Sequence, residues 1–238
     1  MQRLLSILFL LAVSYFVTGQ TVWMHPNAGQ WDDRIDYKVE LTNGEMYIED
    51  NGFTVQLTDQ LERHNHSEKA GEDHFHEATE IVRNHVFRMR FTNASPSGEY
   101  EVKDKSSFYR NYLLGNDKSK WVSELYSSSE ILTKDLYDGI DLRYSGKSGN
   151  LKYDLIVSPN TDPSKIQWRY EGQNELYLDE DGNLHVVNRF GEMIEHAPTA
   201  WTIRNKKKVK VRFVLEGNSL RYDIENYDQS DTLVIDPD

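Results

Sequence analysis

The feature of this sequence that most restricts its fold is a repeated alternation of apolar and polar residues with a period of two. One such run places Ile35, Tyr37, Val39 and Leu41 on one side of a strand and charged residues on the other. Successive side chains of an extended chain point to opposite faces, so the pattern predicts strands with one buried and one solvated face. Comparable runs recur at residues 53–57, 87–91, 140–144, 151–157, 166–170, 209–215 and 220–224.

Tight-turn dipeptides separate these runs. Asn43-Gly44, Asn51-Gly52 and Asp181-Gly182 supply the positive backbone φ values that two-residue hairpins require. Many short strands joined by such turns form antiparallel sheets. We therefore predict an all-β fold with an antiparallel β-sandwich-like architecture.

Helix is expected only in a few short pieces. Asp117 is a candidate N-cap for a short helix through residues 121–125. Residues 127–136 are predicted to form a further turn or two of helix. Neither segment is long enough to organise the fold.

Two segments of the chain resemble each other at an offset of 130 residues. Residues 35–57 and 166–188 each contain an aromatic strand, a turn, a Tyr-aliphatic-acidic-acidic run and a glycine turn, so that Tyr47 matches Tyr177 and Gly52 matches Gly182. One explanation is two related β-halves that meet near residues 100–135. The other is that hairpins of one class look alike.

The first nineteen residues have the three parts of a secretory signal peptide. Arg3 provides the positive start, residues 4–17 are an apolar stretch of 14, and residues 17–19 fit a small-residue cleavage site. This stretch is shorter than the ~20 residues that span a bilayer. We expect cleavage to leave an all-β domain of residues 20–238, secreted or at the cell surface, without a transmembrane segment.

Charge and cysteine content exclude several classes of function. The formal net charge is -12, and nucleic-acid binding needs a basic face, so no nucleic-acid partner is expected. The chain has no cysteine, which excludes disulfides, thiolate metal sites and cysteine nucleophiles. The sequence also lacks the nucleophile elbow, the phosphate loop and the dinucleotide fingerprint. We therefore predict that the protein is not an enzyme.

Histidines are concentrated in one segment, where His64, His66, His74, His76 and His85 fall within 22 residues. Imidazole nitrogens are good ligands for Zn²⁺ and other transition metals. The segment is also polar, contains glycine and lacks periodicity, which is typical of a solvated loop. The first expectation is thus a loop without a cofactor, and the alternative is a zinc or other transition-metal site at these five histidines.

Two further groups of side chains have a functional and a structural interpretation. Tyr109, Tyr112, Trp121 and Trp201 either stack on sugar rings or fill the core. The basic run at residues 205–212 predicts a hairpin tip followed by a strand, and its functional alternative is a small patch for an anionic ligand.

Several segments together resemble a known arrangement. They are GQW at residues 29–31, HVFR at 85–88, YLLGNDKSKW at 112–121, LYDGIDL at 136–142, LKYD at 151–154, DPSKI at 162–166 and LVIDP at 233–237. In this order they are similar to the N-terminal domain of large secreted bacterial proteins that carry SBBP-type β-propeller repeats and a gliding-motility-associated C-terminal domain. The resemblance covers residues 26–238.

That domain has no assigned activity, so the resemblance transfers no catalytic residues. It implies export, through the type IX route, and a place at the cell surface. The family pattern continues into propeller repeats, whereas this sequence stops at Asp238. Periplasmic residence is therefore the alternative location.

These observations predict a non-catalytic secreted or cell-surface β-module for adhesion, surface assembly or glycan contact, with a cell-surface protein or a glycan as partner. A metal-binding domain that uses the His-rich loop is the second hypothesis. A carbohydrate-active enzyme with unidentified carboxylates is the third.

Overall fold

The computed structural model describes residues 21–59, 82–96, 98–147 and 149–237. These residues form eighteen strands and two short 3-10 helices, Lys118–Lys120 and Pro163–Lys165. The strands are β1 (Met24–Pro26), β2 (Tyr37–Leu41), β3 (Gly44–Glu49), β4 (Gly52–Thr58), β5 (Asn84–Phe91), β6 (Tyr100–Tyr112), β7 (Val122–Tyr137), β8 (Ile140–Ser145), β9 (Lys152–Val157), β10 (Gln167–Glu171), β11 (Glu175–Leu178), β12 (Leu184–Asn188), β13 (Gly191–Glu195), β14 (Thr199–Thr202), β15 (Lys208–Val209), β16 (Val211–Glu216), β17 (Ser219–Ile224) and β18 (Leu233–Asp236).

Fifteen of the described strands form one large antiparallel sheet. Its order is β15-β14-β18-β9-β8-β7-β1-β2-β3-β4-β5-β10-β17-β16, and β6 pairs with β7 outside this path. The two ends of the sheet approach each other, because β14 lies beside β16 and only Lys210 separates β15 from β16. The sheet is therefore nearly closed. Strands β11, β12 and β13 form a second sheet, and the predicted all-β antiparallel fold is confirmed.

Aromatic rings fill the centre of the core. Trp168 on β10 is 1% exposed and contacts Phe91 on β5, Phe213 on β16 and Tyr222 on β17, with ring centroids 6.3, 6.0 and 4.7 Å away. Tilted and edge-on ring pairs at such distances add to the free energy gained by burying the rings. This cluster joins the four strands at one end of the sheet order, β5, β10, β17 and β16.

The period-two alternation corresponds to burial where one face of a strand is covered. On β5, Phe87, Met89 and Phe91 are buried, while Val86 and Arg88 are exposed. Turns do connect β2 to β3 and β3 to β4 as predicted, but they lie at residues 42–43 and 50–51, and Gly44 and Gly52 are the first residues of β3 and β4. Local pattern and turn chemistry therefore located these elements correctly.

The helix predicted at residues 127–136 is wrong, because this segment belongs to β7. Its residues pair with β6 on one side and β8 on the other, and most of them from Ser127 to Thr133 are buried on both faces. A strand covered on both faces has no period-two signal. The Asp117 cap is confirmed, but it begins the 3-10 helix Lys118–Lys120, and residues 122–125 belong to β7.

The two similar segments occupy different places in the fold. Residues 37–57 lie entirely in the large sheet as β2, β3 and β4. In the second segment, β10 lies in the large sheet, whereas β11 and β12 lie in the small sheet. Residues 100–135 form most of the β6–β7 pair.

Two sequence predictions fall outside the described residues. The signal peptide at residues 1–19 is one, and the segment from 60 to 81 with four of the five clustered histidines is the other. In the part of the chain that the structure describes, no helix combines the length and the apolar character needed to cross a membrane.

Candidate ligand-contact surface

The β6–β7 hairpin extends beyond the strands beside it. β6 spans 13 residues and, among the described strands, pairs only with β7. The part of β7 before Ser128 pairs only with β6, because β1 meets β7 at Ser128 and β8 meets it from Glu130. One end of the hairpin is thus held in the sheet while the other presents its side chains to solvent.

The tip of the hairpin is held by local hydrogen bonds. The Asp117 carboxylate accepts from the Ser119 N–H at 3.0 Å, which satisfies a free donor at the start of the 3-10 helix. The Trp121 indole N–H donates to the Gly115 carbonyl at 3.1 Å, and the Lys118 ammonium lies 5.6 Å from the centre of the Trp121 ring. These contacts hold Trp121 at the end of the hairpin.

Large apolar side chains are exposed along the distal half of the hairpin. We call the following set the hairpin surface: Phe108, Tyr109, Leu113, Leu114, Trp121 and Tyr126, with exposed fractions from 36% to 56%. Tyr109 and Tyr126 are cross-strand partners whose ring centroids lie 5.9 Å apart. Grouped apolar exposure of this kind marks an interaction site more often than isolated exposed residues do.

The hairpin also packs on the chain around β1 and β2. Phe108 contacts Trp23 edge-on at a ring distance of 5.4 Å, and Tyr112 contacts Trp31 at 5.3 Å. Between them, the Arg110 guanidinium donates two hydrogen bonds to the Glu40 carboxylate, at 2.5 and 3.2 Å. This bidentate pair fixes the orientation of the hairpin.

A cavity of about 320 Å³ lies beside this contact, which we call the His25 cavity. Its walls include Trp23, His25, Glu40 and Arg110. Since Trp23 also contacts Phe108, the cavity adjoins the hairpin surface. A volume of this size is within the range of small-ligand sites.

His25 is buried and lies 2.5 Å, through Nδ1, from the Ser127 hydroxyl. Burial, together with the nearby Arg110 charge, lowers the pKa of His25 to about 4. The imidazole is therefore neutral at pH 7, with one nitrogen as donor and the other as acceptor. The cavity thus combines a neutral imidazole with a paired guanidinium and carboxylate.

Comparison with known proteins identifies the family of the chain. The family model described as a domain of unknown function, DUF7948, matches residues 24–238. The chain belongs to the DUF7948 family. No curated protein and no solved structure matches the chain. The matched range of the DUF7948 domain contains the whole β6–β7 hairpin and the His25, Glu40 and Arg110 side chains.

Of the five histidines predicted as metal ligands, only His85 lies in the described residues. It is the second residue of β5, after Asn84. Its Nε2 is buried without a hydrogen-bond partner in that part of the chain. The described residues hold no group of three or more His, Asp or Glu side chains arranged to bind a metal ion. His64, His66, His74 and His76 lie outside the described residues, so the five-histidine site stays a prediction.

The aromatic residues singled out in the sequence divide between surface and partial burial. Tyr109 and Trp121 belong to the hairpin surface, whereas Tyr112 and Trp201 are half-buried. Sequence reasoning missed His25, which sits in a three-residue strand too short for a periodic signal.

A buried carboxylate also lies away from the hairpin surface. Glu195 on β13 accepts hydrogen bonds from the hydroxyls of Tyr170 and Tyr153, the latter at 3.0 Å. Burial raises the pKa of Glu195 above its usual value. Glycoside hydrolysis needs two carboxylates, and the hydrogen-bond partners of Glu195 are tyrosines, so the enzyme hypothesis stays a prediction.

Proposed function

We propose that this domain is a non-catalytic module, secreted or displayed at the cell surface, that contacts carbohydrate through the hairpin surface. The single observation that supports this proposal is the concentration of exposed aromatic side chains on a hairpin whose distal half pairs with no further described strand. Tyrosine and tryptophan combine a large apolar ring with a polar group, and they carry much of the binding free energy at interaction sites. Sugar rings offer an apolar C–H face to such rings and hydroxyls to their polar atoms.

The His25 cavity supplies the polar part of the proposed site. His25 Nδ1 is bonded to the Ser127 hydroxyl, so neutral His25 has Nε2 left for a sugar hydroxyl, and the Arg110–Glu40 pair offers further donors and acceptors. Sugar hydroxyls need both kinds of partner. We propose that one sugar unit enters the cavity while neighbouring units stack on the hairpin surface.

The resemblance to N-terminal domains of surface-exported proteins supports the proposed location. Its most specific segment, YLLGNDKSKW at residues 112–121, forms the tip of the hairpin, and LYDGIDL at 136–142 forms the β7–β8 turn. We propose type IX export and display beside propeller repeats on this basis. The signal-peptide pattern of residues 1–19 supports secretion.

Replacing Tyr109 and Tyr126 together with alanine is expected to weaken glycan binding. An array of neutral and acidic polysaccharides identifies the best oligosaccharide, and calorimetry then measures its affinity for the chain from residue 20. Removing two stacking rings costs about 2 kcal/mol, which weakens binding roughly thirtyfold. Because both side chains point to solvent, the melting temperature should stay close to that of the unmodified chain.

Tyr177→Ala is the matched control for this experiment. Tyr177 is 37% exposed on β11 of the small sheet, where its ring stacks on His185 at 4.6 Å. Its replacement should leave the oligosaccharide affinity unchanged. If no array glycan binds, or if the tyrosine pair and Tyr177 have equal effects, the hairpin surface is not a glycan site.

Metal binding by the His-rich segment is a second proposal, favoured by one observation. The segment's two ends are held together, because the Asp59 N–H donates to the Arg83 carbonyl at 3.0 Å and Thr58 donates to Asn84 at 2.8 Å. His85, with its unpartnered Nε2, lies beside this closure. We propose that His85 is one metal ligand and that histidines of the segment supply the others.

Calorimetric titration with Zn²⁺ tests this second proposal. We expect one Zn²⁺ per chain with a Kd below about 1 µM, equivalent to more than about 8 kcal/mol. Binding should weaken below about pH 6.5, where an ordinary histidine takes up a proton and cannot bind metal. The His74→Ala, His76→Ala double variant should bind at least tenfold more weakly. Affinity that is unaffected by pH and by these substitutions would end the metal proposal.

A further inference from the structure

A second recess lies at β14, β15 and β16, where the two ends of the large sheet approach each other. It has a volume of about 860 Å³ and is lined by residues of β14, β15 and the start of β16. Its lining includes Trp201, Ile203 and Val211, and its charged members are three lysines, Lys206, Lys208 and Lys210. We call it the lysine groove.

The groove follows from the register of β14 and β15. Trp201 pairs directly with Lys208, so their side chains are neighbours on one face. On β14 the neighbours of Trp201, Ala200 and Thr202, are buried, so Trp201 faces away from the core. Pairing between β14 and β15 ends at Ala200, because the chain leaves β15 for the opposite end of the sheet, and this leaves a recess beside β14.

The walls of the groove are predominantly apolar. Trp201 and Val211 are half-buried, and Ile203 is 53% exposed. An alkyl chain would bury these surfaces without leaving polar groups unpaired. A sugar would meet few hydrogen-bonding side chains on this floor, and β15, with two residues, is too short an edge for adding a peptide strand.

Two of the three lysines that line the groove have no counter-ion among the described residues. Within the described ranges, Lys206 and Lys208 form no ion pair, whereas the neighbouring Lys210 contacts Glu225 at 3.0 Å. The whole chain has a net charge of -12, whereas the lining of the groove contains three lysines and no acidic residue, so the groove is locally positive. Its complement is an anion attached to an apolar group.

The backbone at Lys206 adopts a conformation that is uncommon for lysine. Lys206 has a φ of +50°, a left-handed conformation that glycine or asparagine adopts more readily than lysine. Residues in such conformations concentrate at functional sites.

We propose that the lysine groove binds a long-chain fatty acid. Its alkyl chain would lie on Trp201, Ile203 and Val211, and its carboxylate would lie between the Lys206 and Lys208 ammonium groups. This site is separate from the hairpin surface, because β18, β9 and β8 stand between β14 and β7 in the sheet.

Calorimetry with dodecanoate below its micellar concentration tests the proposal on the chain from residue 20. We expect saturable binding of one dodecanoate, weaker binding of octanoate, and at least tenfold weaker binding of the uncharged methyl ester. The Lys206→Gly, Lys208→Gln double variant should bind dodecanoate about tenfold more weakly, since it loses two charge contacts. Lys206→Gly suits the left-handed backbone, so the melting temperature should not fall and lost binding cannot be assigned to unfolding.

The control variant is Lys165→Gln, which removes one exposed lysine from the second 3-10 helix, outside the groove, and should leave dodecanoate affinity unchanged. Equal binding of dodecanoate and its methyl ester would show that the lysines are not used and would overturn the proposal. Binding only to phosphatidylglycerol vesicles, with none to monomeric dodecanoate, would overturn it in favour of a membrane-docking surface. An affinity unchanged in the double variant would also overturn it.

Discussion

The Gly52→Ala variant is expected to lose about 3 kcal/mol of unfolding free energy, the sum of a backbone penalty and a steric one. Gly52 begins β4 with a φ of +151°, a conformation that residues with a Cβ rarely adopt. An alanine Cβ would lie 2.1 Å from the Met89 carbonyl oxygen on β5, far closer than two such atoms approach. Urea unfolding measures this loss.

The clash cannot be relieved by a small movement. Gly52 pairs with Arg90 across the β4–β5 ladder, and the next residues on the two strands, Phe53 and Met89, are both in the core. Moving β5 away from Gly52 would therefore open the packing around these side chains. Close-packed interiors resist such openings.

Gly191→Ala separates the two parts of the penalty. Gly191 has a φ of +141°, close to that of Gly52, but nothing lies within 4 Å of the position its Cβ would take. This variant should lose only about 1 kcal/mol, the backbone part alone. Equal losses for the two variants would show that the approach to Met89 is not what requires glycine at position 52.

The Glu195→Ala variant is expected to lose about 3 kcal/mol, because it creates a cavity and leaves two buried tyrosine hydroxyls without their acceptor. Glu195 joins the small sheet to the large one by accepting from Tyr153 on β9 and Tyr170 on β10. Glu195→Gln keeps the shape and one acceptor, so its loss should be below about 1 kcal/mol at pH 4. Denaturant unfolding measures both losses.

The same carboxylate makes stability depend on pH. Burial among Tyr153, Tyr170 and Tyr222 raises the pKa of Glu195 in the folded state, so the folded state holds this proton more tightly than the unfolded state. The resulting stabilisation is fully present below the ordinary glutamate pKa of about 4.5 and is lost as the pH rises through the raised value. The unmodified chain should therefore lose stability relative to Glu195→Gln between pH 4 and pH 8.

The contribution of Glu195 to the pH dependence is isolated by the difference in stability between the unmodified chain and the Glu195→Gln variant. The lowered pKa values of Asp32 and Asp179 give the opposite trend, but they occur in both chains and cancel in the comparison. A difference that stays constant with pH would show that Glu195 is not protonated preferentially in the folded state.

Sequence patterns predicted where most strands lie along the chain, but not which strands pair with each other. The runs at residues 53–57 and 87–91 correspond to β4 and β5, because one covered face leaves a period-two signal. The sequence predicts helix for residues 127–136 of β7, where most residues from Ser127 to Thr133 are covered on both faces and carry no such signal. The local pattern therefore failed where a strand is covered on both faces.

The residues of the candidate sites were harder to predict from the sequence than the strands were. Tyr109 and Trp121 were recognised as surface candidates, but the sequence left open whether they fill the core. His25, Glu40 and Arg110 come from three strands, and Glu195 meets tyrosines 25 and 42 positions earlier in the chain. No motif of adjacent residues predicts such contacts.

By itself, the sequence determined the all-β class, the buried face of each alternating strand and several turns, since these depend on neighbours a few residues away. Tertiary structure decided the order of the strands and the approach of β14 to β16 that shapes the lysine groove. It also decided the packing of the β6–β7 hairpin beside the His25 cavity. The reason is physical: strand order depends on which distant segments bury each other's apolar faces, and this choice leaves no local periodicity in the chain.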